Sequence, residues 1–282
     1  MDDLLLTTDL DGTLLDGAAE VPPACMEAIA AYVRAGGLFT VATGRPTRGA
    51  LLYSGLMELV NAPLITYNGA CIFDRKAGRA VWRELLPDSA AELIRSALDR
   101  FPDVGALIFR GEDDFTCVVR ENAYTREVSW NRERYRAMPQ SLEKIPQPWN
   151  KAVLSGPPEA VAACADFVRA HAPGPLTTIL SEGKFLELTG PNAGKGRALR
   201  RVAERLGLPQ DRVVAVGDSM NDIEMLRWAG TGVAVANAEE EILRVAGTVV
   251  ASNVDHGICE CIEKIALPLL LRGGAGKKGT DP

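Results

Sequence analysis

Histidine is almost missing from this chain of 282 residues, which carries only His171 and His256. Such scarcity makes a Ser-His-Asp hydrolase or a histidine-rich metal site hard to build, and the two are read as a helix-end or surface residue and a loop residue. Long basic tracts are missing too. The 31 Lys and Arg against 37 Asp and Glu leave a net charge of −6, which argues against nucleic acid as the main partner. No apolar stretch approaches the length that spans a bilayer, and the N-terminus enters a strand too soon for a signal peptide. A cytoplasmic protein with no membrane partner is expected. The six cysteines, at positions 25, 71, 117, 164, 259 and 261, are scattered and read as buried thiols. Cys259-x-Cys261 is the one close pair, and at that spacing in a helix the two point in different directions rather than at one zinc ion. No solenoid-type repeat is visible. At this length single cores usually split, so two domains are expected.

What the sequence does have is acid at the ends of apolar runs. Leu4-Leu5-Leu6 leads into Thr8-Asp9-Leu10-Asp11-Gly12-Thr13, which reads as a strand ending in two carboxylates. In open α/β sheets, ligand chemistry gathers outside the carboxyl ends of the strands. Alone, this segment is equally an ordinary turn, and an alternating acid pattern also begins calcium loops. A second cluster, Gly217-Asp218-Ser219-Met220-Asn221-Asp222, follows the β-branched run Val213-Val214-Ala215-Val216. Near-continuous runs of this kind mark strands buried on both faces of a parallel sheet. If both strands share one sheet, their carboxylates meet. Three or more converging acids repel unless a cation lies among them, and hard oxygen ligands suit Mg2+.

Two further strand ends complete the constellation. Leu38-Phe39-Thr40-Val41-Ala42 runs into Thr43-Gly44-Arg45, which offers a hydroxyl, backbone N–H groups able to hold phosphate oxygens, and an arginine of open role. Lys195 opens an amphipathic helix through Leu199, Val202, Ala203 and Leu206 that ends near Gly207. Singly, Thr43-Gly44 is also a plain strand-to-helix turn and Lys195 a solvated charge. Together they point at one anion. The run Gly190-Pro191-Asn192-Ala193-Gly194-Lys195-Gly196 is not a nucleotide-binding P-loop. It is one residue short between its glycines and has Gly196 where a Ser or Thr holds Mg2+.

On these motifs the chain resembles the haloacid dehalogenase-like (HAD) phosphatases, and within them the Cof-type branch, subfamily IIB, with a large α/β cap. Asp9-Leu10-Asp11-Gly12-Thr13 is similar to the family's first motif, Thr43-Gly44-Arg45 to its second, Lys195-Gly196 to its third, and Gly217-Asp218 with Asn221-Asp222 to its fourth. Tyr67-Asn68-Gly69-Ala70 and Gly232-Val233-Ala234-Val235-Ala236-Asn237-Ala238 are also similar to Cof-type sequences. Two departures, Asn253-Val254-Asp255-His256-Gly257 in place of an acidic tract and Arg244 in place of a common lysine, bear on subfamily rather than chemistry.

The resemblance implies a Mg2+-dependent phosphatase acting through an aspartyl-phosphate. Asp9 is then the nucleophile, and Asp11 the general acid and base. Mg2+ is held by Asp9, the backbone carbonyl of Asp11 and Asp218, with Asp222 assisting through water. Thr43 and Lys195 bind phosphoryl oxygens, and Gly44, Arg45, Asn68 and Asn221 join them around the substrate. Asn68 touches either substrate or the hinge of the cap. The implied substrate is a small phosphomonoester, a phosphorylated sugar or related metabolite. A phosphomutase working on the same core is the main alternative, told apart by whether inorganic phosphate or an isomerised sugar phosphate is released. A regulatory protein with a dead site is disfavoured because every catalytic position is filled.

The expected fold class is α/β: a doubly wound, Rossmann-like parallel-sheet core with an inserted smaller α/β cap. The core comprises residues 1–83 and 189–272, the cap 84–188, and residues 273–282 form a disordered Gly- and Lys-rich tail. Residues 1–82 read as strand, helix, strand, helix, strand, with a helix from Pro22 through Val33. In the insertion, helices read over Ser89–Arg100 and Glu159–His171, and strands over Ala106–Arg110, Phe115–Arg120, Ala152–Ser155, Thr177–Ser181 and Phe185–Thr189. Specificity is expected to lie there. Arg126, Arg132, Arg134 and Arg136 could reach a second anion but read first as a solvated face. Trp130 and Trp149 could stack on a ring but read first as core. Ser181 and Glu182, in the last hairpin, are weaker candidates.

Overall fold

The computed structural model describes residues 3–110, 115–130 and 137–274. It divides into two compact units. One comprises residues 1–44, 51–81 and 194–282, and the other residues 45–50 and 82–193.

The first unit begins with β1 (Leu5–Thr8), a helix (Pro23–Arg34) and β2 (Leu38–Val41). The helix starts with Pro at its first position, where a missing N–H costs nothing, and the chain leaves it through Gly36 at φ 95°. The helix Thr47–Ala50, grouped with the second unit, and the helix Ser54–Leu59 follow, and then β3 (Leu64–Thr66), β4 (Cys71–Asp74) and β5 (Arg79–Arg83). Here the single helix and single strand read from the sequence give way to more. Among the described residues the three-residue β3 meets the main sheet's ladder through an isolated bridge from Ala42 to Ile65, and it pairs with β4 in a three-stranded sheet of order β3-β4-β5. A turn through Asn68 and Gly69 reverses the chain after too few residues to extend the large sheet.

The insertion carries β6 (Gly105–Arg110), β7 (Thr116–Arg120), β8 (Ala137–Pro139), β9 (Trp149–Ser155), β10 (Thr177–Ser181) and β11 (Phe185–Thr189). These form one sheet of order β10-β11-β9-β6-β7-β8, antiparallel apart from the β7–β8 pair. One face buries Ala106, Ile108, Ala152, Leu154, Leu186 and Leu188 with the apolar stripes of the helices Ala90–Arg100 and Pro158–His171. Trp149 belongs to this core, its indole N–H donating to the Pro146 carbonyl at 3.1 Å. Strand β9 begins three residues earlier than the apolar pattern indicates because Trp149 and Lys151 are buried with it. Arg126 pairs with Glu121 at 2.9 Å on the surface. Arg132, Arg134 and Arg136, and the side chain of Trp130, lie outside what is described.

The chain returns to the first unit with the helix Lys195–Leu206, β12 (Val213–Gly217), the helix Ile223–Trp228, β13 (Thr231–Val235), β14 (Thr248–Val250) and further helices from Gly257. The last, Leu267–Gly274, carries regular structure through residues 273 and 274, which the sequence reading gave to the tail. Leu267, Leu269 and Leu270 pack on the core and hold the helix there, while Leu271 is exposed, and residues 275–282 lie outside the description. No helix among the described residues is long and apolar enough to cross a membrane.

The main sheet is entirely parallel, in the order β14-β13-β12-β1-β2. Leu4 and Leu6 face one core with Val214, Val216, Ile29, Tyr32, Ile258 and Ile262, while Leu5 and Ala215 are equally buried on the opposite face. Both faces are covered, as a parallel sheet requires, and each fully buried Leu is worth roughly 1.5–3 kcal/mol. Connections leave β1 toward β2 and β12 toward β13, in opposite directions, so β1 and β12 flank the switch point where a crevice opens beyond the strand ends. Thr8 stands level with Val216 and Val41, which brings Asp9, Gly217 and Ala42 out at one edge.

Helix Lys195–Leu206 is docked at close range. It buries Ala198, Leu199, Val202 and Ala203 and ends on Gly207 at φ 70°. Gly196 meets Glu224 backbone to side, so that an added Cβ would lie 2.6 Å from the Glu224 carbonyl carbon. Gly196→Ala is therefore expected to lower stability by about 1–3 kcal/mol in urea titration, the range for overpacking.

Candidate active site

Lys195 is fully buried, and its ammonium donates to Asp9 Oδ1 at 2.8 Å and to Asp222 Oδ1 at 2.7 Å. A solvated surface lysine was the alternative from sequence. The structure instead brings residues 186 and 27 positions away onto it.

Each carboxylate is held differently. Asp9 follows β1, its N–H donating to the Val216 carbonyl at 3.0 Å, which continues the β1–β12 ladder by one residue. Asp218 accepts from the hydroxyls of Thr13 at 2.5 Å and Ser219 at 2.8 Å. Asp222 uses its second oxygen to accept from the N–H groups of Asp218 at 3.0 Å and Ser219 at 3.1 Å, closing a capping box over the turn Ser219–Asp222. Gly12, at φ 83°, is required here twice over, by its left-handed backbone and by Asp218 Oδ2, which a Cβ would approach to 2.5 Å.

Asp9, Asp218 and Asp222 each offer an oxygen within 4.8 Å of the others. Three hard oxygen donors at this spacing fit a small divalent cation. Asp222 is the least available for direct ligation, because its two oxygens already accept three hydrogen bonds. Burial is the leading cause that raises the Asp9 carboxyl well above the usual range. Lys195 opposes the shift, and Asp222, Asp218 and Asp11 add to it. Asp218 is raised by burial and by Asp222, against the hydroxyls of Thr13 and Ser219. Burial works against the Lys195 cation, yet Asp222 and Asp9 outweigh it and hold the ammonium above its ordinary value.

Thr43 is buried at the end of β2 and Gly44 packs on the Asn68 carboxamide. The Asn221 amide donates to Asn68 Oδ1 at 3.0 Å, so four of the residues picked from sequence form a second contiguous group. Asp11 occupies the exposed turn beyond Asp9. Arg45 is grouped with the inserted unit rather than with Thr43 and Gly44.

Sequence reasoning missed the supports. Asn237 donates to the Gly12 carbonyl at 2.8 Å, Asn253 donates its N–H to Asn237 Oδ1 at 2.9 Å and its side chain to the Leu15 carbonyl at 2.7 Å. Glu239 donates its N–H to the Asp218 carbonyl at 2.8 Å. Ser219 had a local signal, as Ser-x-x-Asp at a helix start, and Asn237 lies in the stretch of residues 232–238 similar to Cof-type sequences.

A family model described as haloacid dehalogenase-like hydrolase matches residues 6–262. The chain is 30% identical to YxeH of Bacillus subtilis over 271 residues, which cover 93% of this chain and 98% of that protein. A solved haloacid dehalogenase-like hydrolase from Bacteroides thetaiotaomicron is 25% identical and superposes with a TM-score of 0.84 over 93% of this chain and 99% of its own. The HAD subclass IIB sugar phosphatase BT4131, at 21% identity, shares the fold with a TM-score of 0.81 over 94% of this chain and 99% of its own.

Carboxyls with raised folded-state pKa values contribute stability below their unfolded values, near pH 3.9, and that contribution is lost as pH rises through the folded values. Without metal, Asp9 and Asp218 should thus cost the protein stability toward alkaline pH, and a divalent cation that binds them should restore it. The gain in melting temperature on adding Mg2+ is expected to be larger at about pH 8 than at about pH 5.5, since protons compete for the same oxygens. At a hundred times Kd the gain corresponds to about 2.7 kcal/mol. Asp218→Ala should remove most of it.

Proposed function

The chain belongs to the haloacid dehalogenase-like hydrolase family, and from that premise we propose that it hydrolyses small phosphomonoesters, sugar phosphates or related metabolites, through a phosphorylated Asp9. Its relatives make it a phosphoric monoester hydrolase. The observation that carries the finer reading is the burial of Lys195 against Asp9 and Asp222 at the switch point of the sheet.

Phosphate monoesters hydrolyse extremely slowly unaided, so positioning and charge neutralisation must lower the barrier. Asp9 attacks phosphorus in line with the leaving alcohol, forming the Asp9 O–P bond as the ester O–P bond breaks. Asp11 gives its proton to the leaving oxygen and then takes one from the water that cleaves the acyl phosphate. Its exposed turn directly beyond Asp9 suits that exchange. Lys195 keeps one Asp9 oxygen occupied and so orients the other, and with Thr43 and the Gly44 N–H it receives phosphoryl oxygens. Arg45 is assigned to the substrate's anionic side, and Asn221 keeps the turn before Asp222 in register.

The residues that would hold Mg2+ are Asp9, the backbone carbonyl of Asp11 and Asp218, with Asp222 reaching it through water. When bound, the ion screens the Asp9 carboxylate from the phosphate it approaches. The inserted unit, residues 84–188 in the sequence reading, is assigned the choice of alcohol. Six cysteines carried as thiols, with Cys25 and Cys259 sulfurs 3.4 Å apart, favour a reducing, cytoplasmic setting.

Phosphate release from sugar phosphates, cofactor phosphates and an aryl phosphate, with Mg2+ and with a chelator, tests this reading. Release that the chelator abolishes is expected. Asp9→Asn should cut turnover by at least about a thousandfold, a loss of some 4 kcal/mol in transition-state stabilisation, while retaining substrate binding. Near-normal turnover in that variant would remove Asp9 as nucleophile, and an isomerised sugar phosphate without phosphate release would make the enzyme a mutase.

A further inference from the structure

Three successive residues, Tyr67, Asn68 and Gly69, have φ of 55°, 55° and 85°. Glycine adopts this region freely and asparagine tolerates it, but a tyrosine does not. Non-glycine residues held there cost of order 1–3 kcal/mol each and persist only where the surroundings over-determine them.

Four contacts do so. The Asn68 N–H donates to the Thr43 carbonyl at 3.0 Å. The Asn68 carboxamide lies so close to Gly44 that a Cβ at position 44 would come within 3.0 Å of Oδ1 and 3.1 Å of Nδ2. The same Oδ1 accepts from Asn221 Nδ2 at 3.0 Å. Gly69 lies against the residue before Lys195, where a Cβ would stand 2.2 Å from the Gly194 carbonyl oxygen. One strained turn therefore touches Thr43-Gly44 beyond β2, Asn221 in the turn beyond β12, and Gly194 at the start of the helix that begins with Lys195. Asn68 is itself buried, at 3% exposure, with its Oδ1 held by Asn221 and its carboxamide packed on Gly44.

We propose that the Tyr67–Gly69 turn is the spacer that sets the separation of these three loops. Asn68 is its positioning residue, holding Asn221 against Thr43 and Gly44 instead of contacting the phosphoryl group. This rests on the reading that Thr43, Lys195 and the Asp222 turn serve one phosphoryl site. Lys195 already fixes Asp9 to Asp222, but nothing in that ion pair fixes Thr43. The sheet joins the β2 and β12 ends through β1, and the turn adds a second link beyond the strand ends.

The two roles for Asn68 respond in opposite ways to a carboxylate. A positioning residue can be replaced by Asp, which still accepts from Asn221. A residue touching the phosphoryl group cannot, since the anions repel. Asn68→Ala and Asn68→Gly should each lose about 10–100-fold in kcat/KM, with glycine no better than alanine although it fits φ 55° without strain. Asn68→Asp should recover most of that loss. In a double-mutant cycle with Asn221→Ala, the double variant should lose no more than the worse single, because both remove the same link. Inhibition by inorganic phosphate should weaken in parallel, and urea titrations establish that each variant is folded.

Asn68→Asp falling below Asn68→Ala, or additive losses in the cycle, would overturn the proposal. Asn68→Gly keeps the experiment decisive if the alanine variant does not fold. Phosphate release by the wild type decides the phosphatase reading separately, so the two can fail independently.

Discussion

One buried ammonium organises this molecule. Lys195 lies where three carboxylates converge, and it reaches two of them from the first turn of a helix. Without it, Asp9 and Asp222 would be buried charges with no counter-ion, a condition that costs about 3–5 kcal/mol when one partner of a buried pair is removed. The demands on the surrounding chain follow from keeping that ammonium in place. The helix must approach Glu224 without a Cβ at position 196, the turn at Ser219 must present Asp222 through a capping box, and β1 must end level with β12. These are local devices from different parts of the chain that converge on one ion pair.

The parallel sheet makes the convergence possible. Because β1 and β12 are neighbours whose connections diverge, the space beyond their ends is not filled by a crossing helix. The registers place Asp9 and Asp218 one residue beyond the last paired positions, Thr8 with Val216 and Gly217 with Ala234. Asn237 and Asn253 then brace the Gly12 and Leu15 carbonyls, so the turn that carries Asp11 is held from outside the acidic cluster. Rigidity there matters because a misplacement of about 1 Å can cost a hundredfold in rate.

How much of this was legible follows from what each signal depends on. Asp9, Asp218 and Lys195 could be read because each adjoins an apolar run or an amphipathic helix whose period announces an element, and the element fixes where its end lies. Thr43 was legible for the same reason. The braces were not, because Asn237, although it lies in a stretch similar to Cof-type sequences, meets Gly12 across 225 positions, a contact the stretch does not reveal. The β4 and β5 strands were missed because β3 is only three residues long and the reversal depends on left-handed residues, of which only Asn68-Gly69 is a turn signal. The helix Leu267–Gly274 ran past its expected end because leucines packing on the core outweighed two terminal glycines. The family resemblance added the order of the motifs, and the geometry added that Arg45 is grouped apart from its sequence neighbours.

The charges at the site also restrict how a phosphomonoester can enter. Asp9, Asp218 and Asp222 ionised against one lysine leave two negative charges in a buried space, and a phosphate ester brings up to two more. Like charges about 4 Å apart repel by roughly 4 kcal/mol even at an effective dielectric constant near 20. Protonation could relieve part of this, which is the direction in which Asp9 and Asp218 are already pushed. In the proposed mechanism Asp9 must be ionised to attack, however, so relief by protons would remove the proposed nucleophile while it admits the substrate. A divalent cation relieves the same repulsion and leaves Asp9 ionised. On the proposed mechanism, then, charge at the site can be cancelled in two ways, of which only one preserves the carboxylate assigned to attack phosphorus.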